Sequence, residues 1–163
     1  FSCSASFGTP NLYKDNLEIT NPTTSILAAG TFALKCNISE SQNYSSDISQ
    51  GALTVSKASS QTSLIFDKNS PQVYETSITP ICSVISEVGS AVLTLNGNII
   101  ISGQALALGA GTWNFNCSLA SSQNYTYSEN TSSFVINSAS TTTNIIVNPS
   151  SGINYGTASN FSC

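Results

Sequence analysis

Polar and apolar residues alternate along most of this chain. In TWNFNCSLA, Trp113, Phe115, Cys117 and Leu119 fall on one side and Asn114, Asn116 and Ser118 on the other, the period of two that a half-buried strand requires. Phe32, Leu34, Cys36 and Ile38 repeat that face. AVLTLNGNIIIS places two apolar runs around Asn96-Gly97, the dipeptide that most readily supplies the positive φ angles of a type I′ hairpin turn. Asp15-Asn16 holds the same place earlier in the chain. No long stretch has the 3.6-residue period of a helix. The pattern predicts an all-β protein built of antiparallel β-sandwiches, about seven short strands to each.

The alternation itself recurs. Gly30, Thr31, Cys36, Ser41, Gln42, Asn43 and Tyr44 return as Gly111, Thr112, Cys117, Ser122, Gln123, Asn124 and Tyr125, each pair 81 positions apart. TSLIFDKNSPQVYETSITPIC, ending at Cys82, matches TNIIVNPSSGINYGTASNFSC, ending at Cys163, without a gap and at the same offset. Cys3 precedes Cys82 by 79, so one connection is two residues shorter, a change that loops tolerate. A fixed period of this length is the mark of a tandem array. The expected organisation is a first unit lacking its opening strand over residues 1–57, a complete unit over 58–138, and the opening strands of a third over 139–163. The chain opens at FSC in mid-pattern and reads as a segment of a longer protein.

Composition narrows the function. Charged residues make up 7% of the chain, with four lysines, no arginine and no histidine, so no basic footprint exists for a phosphate backbone and nucleic acid is not an expected partner. Without histidine the commonest general base and metal ligand is missing. The eight carboxylates are scattered, with none of the pairings that glycoside hydrolysis or a calcium loop needs. Neither catalytic residues, nor a metal, nor a cofactor is expected. A net charge of −4 with 40% hydrophobic residues argues for a folded chain, not a disordered one. No apolar run reaches the roughly 20 residues of a membrane span.

The five cysteines follow the repeat. Cys3, Cys82 and Cys163 stand on the second strand of each unit; Cys36 and Cys117 stand on the strand that begins Gly-Thr. All are placed on the inward face, which predicts disulfides Cys3–Cys36 and Cys82–Cys117, with the partner of Cys163 outside this segment. The alternative is buried free thiols acting as small hydrophobes. Disulfides imply an oxidising, extracellular or cell-surface location.

A tyrosine ahead of the second strand, LAAGTF or LGAGTW leading the sixth, and then SESQNYSSDISQGALTVSKA or LASSQNYTYSENTSSFVINSA, together resemble the bacterial-type immunoglobulin-like repeats of prokaryotic cell-surface or filament proteins. Gly30, Asn43, Tyr44 and the run Leu53 to Ala58 fit that pattern, as do Gly111, Asn124 and Tyr125. The resemblance covers nearly the whole chain. Many such repeats lack cysteine, and many carry a glycine after the tyrosine, here Gly156 but replaced by Glu75; the cysteines and abundant asparagine look more like archaeal versions. The resemblance implies tandem immunoglobulin-like sandwiches of about 80 residues each that serve as spacers, adhesin stalks, surface-layer modules or filament subunits. The expected partners are neighbouring repeats of the same or an identical chain, with surface glycans or proteins as the alternative.

Six N-x-S/T sequons stand at Asn37, Asn43, Asn116, Asn124, Asn130 and Asn160. This composition would produce about five by chance, so placement matters more than number. Asn37, Asn116 and Asn160 alternate out of phase with the core face, and Asn43 and Asn124 sit in the Asn-Tyr turn, so these five are expected to be reachable. Tyr44, Tyr125 and Tyr127 near that turn could stack on sugar rings, although tyrosines packed over a sandwich end account for them as well. Trp113, in phase with Phe115 and Cys117, belongs to the core, as Phe32 does in the other copy.

Between units the sequence offers only SKASS and NSAST, far shorter than a flexible tether, so consecutive sandwiches are expected to stack end to end with limited bending. The strand NIIVN corresponds to SLIFD of the second unit. Either the parent chain continues in both directions, or this tail inserts into the next subunit by strand addition. In both cases Ile145 and Val147 are expected to pack inward as Leu64 and Phe66 do.

Overall fold

The computed structural model describes residues 1–85, 89–150 and 152–163. Among them there is no helix, and all regular structure is strand.

Residues 1–57 contain β1 (Asn11–Lys14), β2 (Leu17–Ile19), β3 (Gly30–Ile38) and β4 (Asp47–Val55), paired antiparallel in the order β2-β1-β3-β4. The β1–β2 hairpin closes through Asp15 and Asn16, at φ 51° and 65°, the left-handed geometry that Asp and Asn tolerate better than other side chains. Asp15 then bonds Ala33 twice, its N–H donating to the Ala33 carbonyl at 2.8 Å and its Oδ1 accepting from the Ala33 N–H at 2.9 Å.

Residues 58–138 hold the larger assembly: β5 (Thr62–Phe66), β6 (Gln72–Val73), β7 (Ser77–Ile78), β8 (Pro80–Val84), β9 (Val92–Leu95), β10 (Asn98–Ile100), β11 (Leu106–Ala107), β12 (Gly111–Leu119) and β13 (Ser128–Asn137). One layer has the order β10-β9-β12-β13-β6; the other is made by β5 on β8 and β11 on β7. Between them lie Ile78, Leu93, Phe115, Cys117, Phe134 and Ile136, all buried, with Leu64, Phe66, Leu106 and Trp113 packed against them. Phe66 from one layer sets its ring against Phe115 and Phe134 of the other, with both centroid separations 5.0 Å. This is an all-β architecture of several sheets, consistent with a β-sandwich.

Along β12 the side chains alternate as the sequence pattern requires, with Phe115, Cys117 and Leu119 buried and Asn114 exposed. β6 runs parallel to the end of β13, with Ile136 opposite Gln72 and Asn137 opposite Val73. Pro71 lies between β5 and β6. A proline has no N–H to continue a ladder, so the chain leaves one layer there and joins the edge of the other.

Ladder registers recur at the sequence offset. Leu12 pairs with Cys36 and Leu93 with Cys117; Gly30 pairs with Val55 and Gly111 with Ile136. Asn96 bonds Asn114 in both directions, as Asp15 bonds Ala33. At the C-terminal end β14 (Ile146–Asn148) pairs with β15 (Asn160–Ser162), Ile146 opposite Ser162 and Val147 opposite Phe161. These pairs lie 81 positions after Ile65 opposite Ile81 and Phe66 opposite Pro80.

Two expectations need correction. Ile145 and Val147 do not pack inward: they are 74% and 38% exposed, because β14 and β15 pair only with each other and no second layer covers them. Residues 1–57 also have a thin core, with Leu12 and Ala29 as their buried hydrophobics. Phe32, Leu34, Cys36 and Ile38 are only half-buried, since nothing in the described residues lies where β5 lies in the second assembly.

Candidate functional site

The cysteines bridge strands or layers. Cys82 on β8 is joined to Cys117 on β12 across the core, with Cα atoms 5.4 Å apart, and Cys3 is joined to Cys36 on β3 at 5.6 Å. Each first cysteine is held through its backbone. The Asn21 amide accepts from the Cys3 N–H at 2.9 Å and donates to its carbonyl at 2.7 Å. Ser102, 81 positions after Asn21, treats Cys82 the same way at 2.8 and 3.1 Å. Cys163 is free and exposed.

The tyrosines do not gather into one platform. Tyr44 stacks on Phe7, ring centroids 3.9 Å apart and planes 21° from parallel, and the pair stays about half exposed. It lines a cleft of about 430 Å³ with Asn11, Cys36, Asp47 and Ser49. In the second assembly β5 fills the corresponding space, with Thr62 Oγ1 3.2 Å from Ser128 Oγ. Tyr127 is exposed, and its hydroxyl donates to Glu129 Oε2 at 2.6 Å. That bond to a carboxylate raises the Tyr127 phenol above its ordinary value. Tyr125 is half-buried. Trp113 is half-buried against the core, its indole N–H donating to the Gly109 carbonyl at 2.9 Å.

The sequons differ in access. Asn43, Asn124, Asn130 and Asn160 are exposed, and Asn37 is half-buried. Asn116 is also half-buried; its Nδ2 donates to Glu129 Oε2 at 3.3 Å, while its Oδ1 is buried without a protein partner. Of the six it presents the least free amide.

The most elaborate polar contact joins residues 1–57 to residues 58–138. The turn Ser122–Tyr125 lies against Ala29 and the linker Lys57–Ala58. Asn124 Oδ1 accepts from the Ala29 N–H at 2.9 Å, and Gln123 Nε2 donates to the Ala29 carbonyl at 2.7 Å, so two adjacent amide side chains satisfy both backbone groups of one residue. The linker is read as well. Ala58 N–H donates to the Asn124 carbonyl at 2.8 Å, Thr126 N–H donates to the Ala58 carbonyl at 2.9 Å, and Lys57 Nζ reaches the Ser122 carbonyl at 2.7 Å. A short parallel bridge pairs Ala58 with Tyr125.

Sequence reasoning singled out Asn124 and Tyr125 but missed Gln123, Ala29 and Phe7 as contact residues. The recurrence of Gln-Asn at an 81-residue spacing was the available signal for Gln123, and that of Ala-Gly before the Gly-Thr strand for Ala29; Phe7 had none.

No helix among the described residues is long and apolar enough to cross a membrane. Compared with protein-family models, curated proteins and solved structures, the chain gives no significant match.

Proposed function

We propose that this chain is part of a tandem immunoglobulin-like array that works outside the cell as a rigid structural spacer or assembly module of a surface, adhesin-stalk or filament protein, without catalysis. One observation carries the reading: ladder registers of residues 1–57 return 81 positions later in residues 58–138, which supports reading the two segments as like units. The units are then 1–57, 58–138 and 139–163. Two disulfides, Cys3–Cys36 and Cys82–Cys117, are compatible with an extracellular location, and exposed sequons such as Asn43, Asn130 and Asn160 with a glycoprotein.

The alternative is an adhesion module that binds a glycan or protein, and one observation favours it: the exposed Phe7–Tyr44 stack beside a cleft lined by Asn11 and Asp47. Aromatic faces with flanking polar groups suit sugar rings. A glycan array probed with the chain decides between the two. The structural reading expects no saturable binding. Binding that is lost in Phe7→Ala with Tyr44→Ala, or in Tyr125→Ala with Tyr127→Ala, would replace it with the adhesion reading.

A further inference from the structure

The Ser122–Tyr125 contact has two halves, and the chain carries a second set of both. Gln42 and Asn43 are the counterparts of Gln123 and Asn124 in the first copy, in a turn of the same form: Ser41 N–H donates to the Tyr44 carbonyl at 2.8 Å, as Ser122 N–H does to Tyr125 at 3.0 Å. Ala110 and Ala139 are the counterparts, one repeat later, of Ala29 and Ala58. Exposure shows which set is engaged. Ala29 is 9% exposed and Tyr125 half-buried, while Ala110 is exposed and Tyr44 is 50% exposed. Among the described residues the Gln42 and Asn43 side chains have no partner.

We propose that the Ser41–Tyr44 turn is a docking surface for the Ala110 end of a second copy of this chain, engaged as Ser122–Tyr125 engages Ala29. Gln42 Nε2 would donate to the Ala110 carbonyl and Asn43 Oδ1 accept from its N–H, while Ser45, the counterpart of Thr126, meets Ala139. Specificity comes from two amides matched to the N–H and carbonyl of one residue, in the same backbone setting at both sites: Gly111 follows Ala110 as Gly30 follows Ala29, at φ 151° and 156°, a conformation glycine adopts readily. A larger side chain at Ala110 would fill the space that Ala29 leaves for the turn. Each contact uses unlike patches, so repeated docking is head-to-tail and does not close on itself as a two-fold contact would. The proposal rests on reading the chain as an array of like sandwiches, but its failure would leave that reading's scattering behaviour intact.

The test is photo-crosslinking between copies. A benzophenone amino acid replaces exposed Ser45, Cys163→Ser removes the free thiol, and isotopically heavy and light chains are mixed at ~1 mM, near the effective concentration that a short linker provides within one chain. The expected product joins position 45 of one copy to the segment around Ala110 or Ala139 of the other. It should be lost in Gln42→Ala with Asn43→Ala, and lost independently in Ala110→Trp, whose site is on the surface and outside the core. Absence of a heavy–light product, a product mapping elsewhere, or yields unchanged in both variants would overturn the proposal.

Discussion

At the residue scale, two kinds of side chain fix this fold more than their number suggests. The first is the cysteine pair Cys82–Cys117, which closes a separation of 35 residues and should stabilise the fold by about 3.8 kcal/mol in the chain-entropy model. Replacing both cysteines with alanine should lower the unfolding free energy by that order in denaturant titrations, a large part of a small domain's margin. A double variant as stable as the parent would show that the core alone carries the sandwich. The second kind is the aspartate that ties a strand end. Asp67 Oδ1 accepts from the Thr79 N–H at 2.6 Å and Asp15 Oδ1 from the Ala33 N–H, and these backbone bonds hold both carboxyls below the ordinary 3.8, with the neighbouring Lys68 and Lys14 adding to the effect. A lowered folded value means that the stabilisation is present above 3.8 and is lost as pH falls below it through the folded value. Both groups are surface-exposed, so the effect is small. Asn96 stands 81 positions after Asp15 and accepts the equivalent bond from the Asn114 N–H, and Asn148 stands 81 positions after Asp67. Asp67→Asn combined with Asp15→Asn should flatten the acid side of the stability curve measured by thermal melts from pH 5 to pH 2; an unchanged acid limb would mean that these bonds do not depend on the charge.

At the scale of elements, what the sequence made legible was whatever depends on neighbours along the chain. The alternation of Trp113, Phe115, Cys117 and Leu119 reports one strand's two faces, and Asn96-Gly97 with Asp15-Asn16 reports two hairpins through φ angles that few other residues adopt. Contacts between elements were less legible. The parallel pairing of Gln72 and Val73 with the end of β13 depends on where a proline interrupts one ladder, and two residues have no periodicity to read. Ile145 and Val147 look like core residues by pattern, yet they are exposed because burial needs an opposite layer, which no local pattern supplies. The amide contact on Ala29 was hidden for a related reason: Gln and Asn are ordinary turn residues, and only the position of another unit turns them into a joint. That joint is directly testable. Gln123→Ala with Asn124→Ala leaves the Ala29 N–H and carbonyl without these partners, at a cost of about 1–3 kcal/mol for groups left unsatisfied. Distances between spin labels on β4 and β13 should broaden in this variant while unfolding of the second sandwich is unchanged. The same substitutions at Gln42 and Asn43 should leave that distribution narrow. A parent chain already as broad as the variant would show that the linker, not the amides, sets the geometry.

At the scale of the whole molecule, the reading is mechanical. Charge is sparse, so long-range electrostatics contribute little. In the proposed role, stiffness would come from the disulfides within each segment and the hydrogen bonds between segments. Small-angle X-ray scattering of the chain in solution, recorded at low and high salt, tests this most directly. The account predicts an elongated, two-lobed particle whose pair-distance distribution has a second maximum at one fixed separation, unaffected by salt because the joint is made largely by uncharged amides. A compact single globule, or lobes whose separation varies continuously so that the second maximum vanishes, would contradict it.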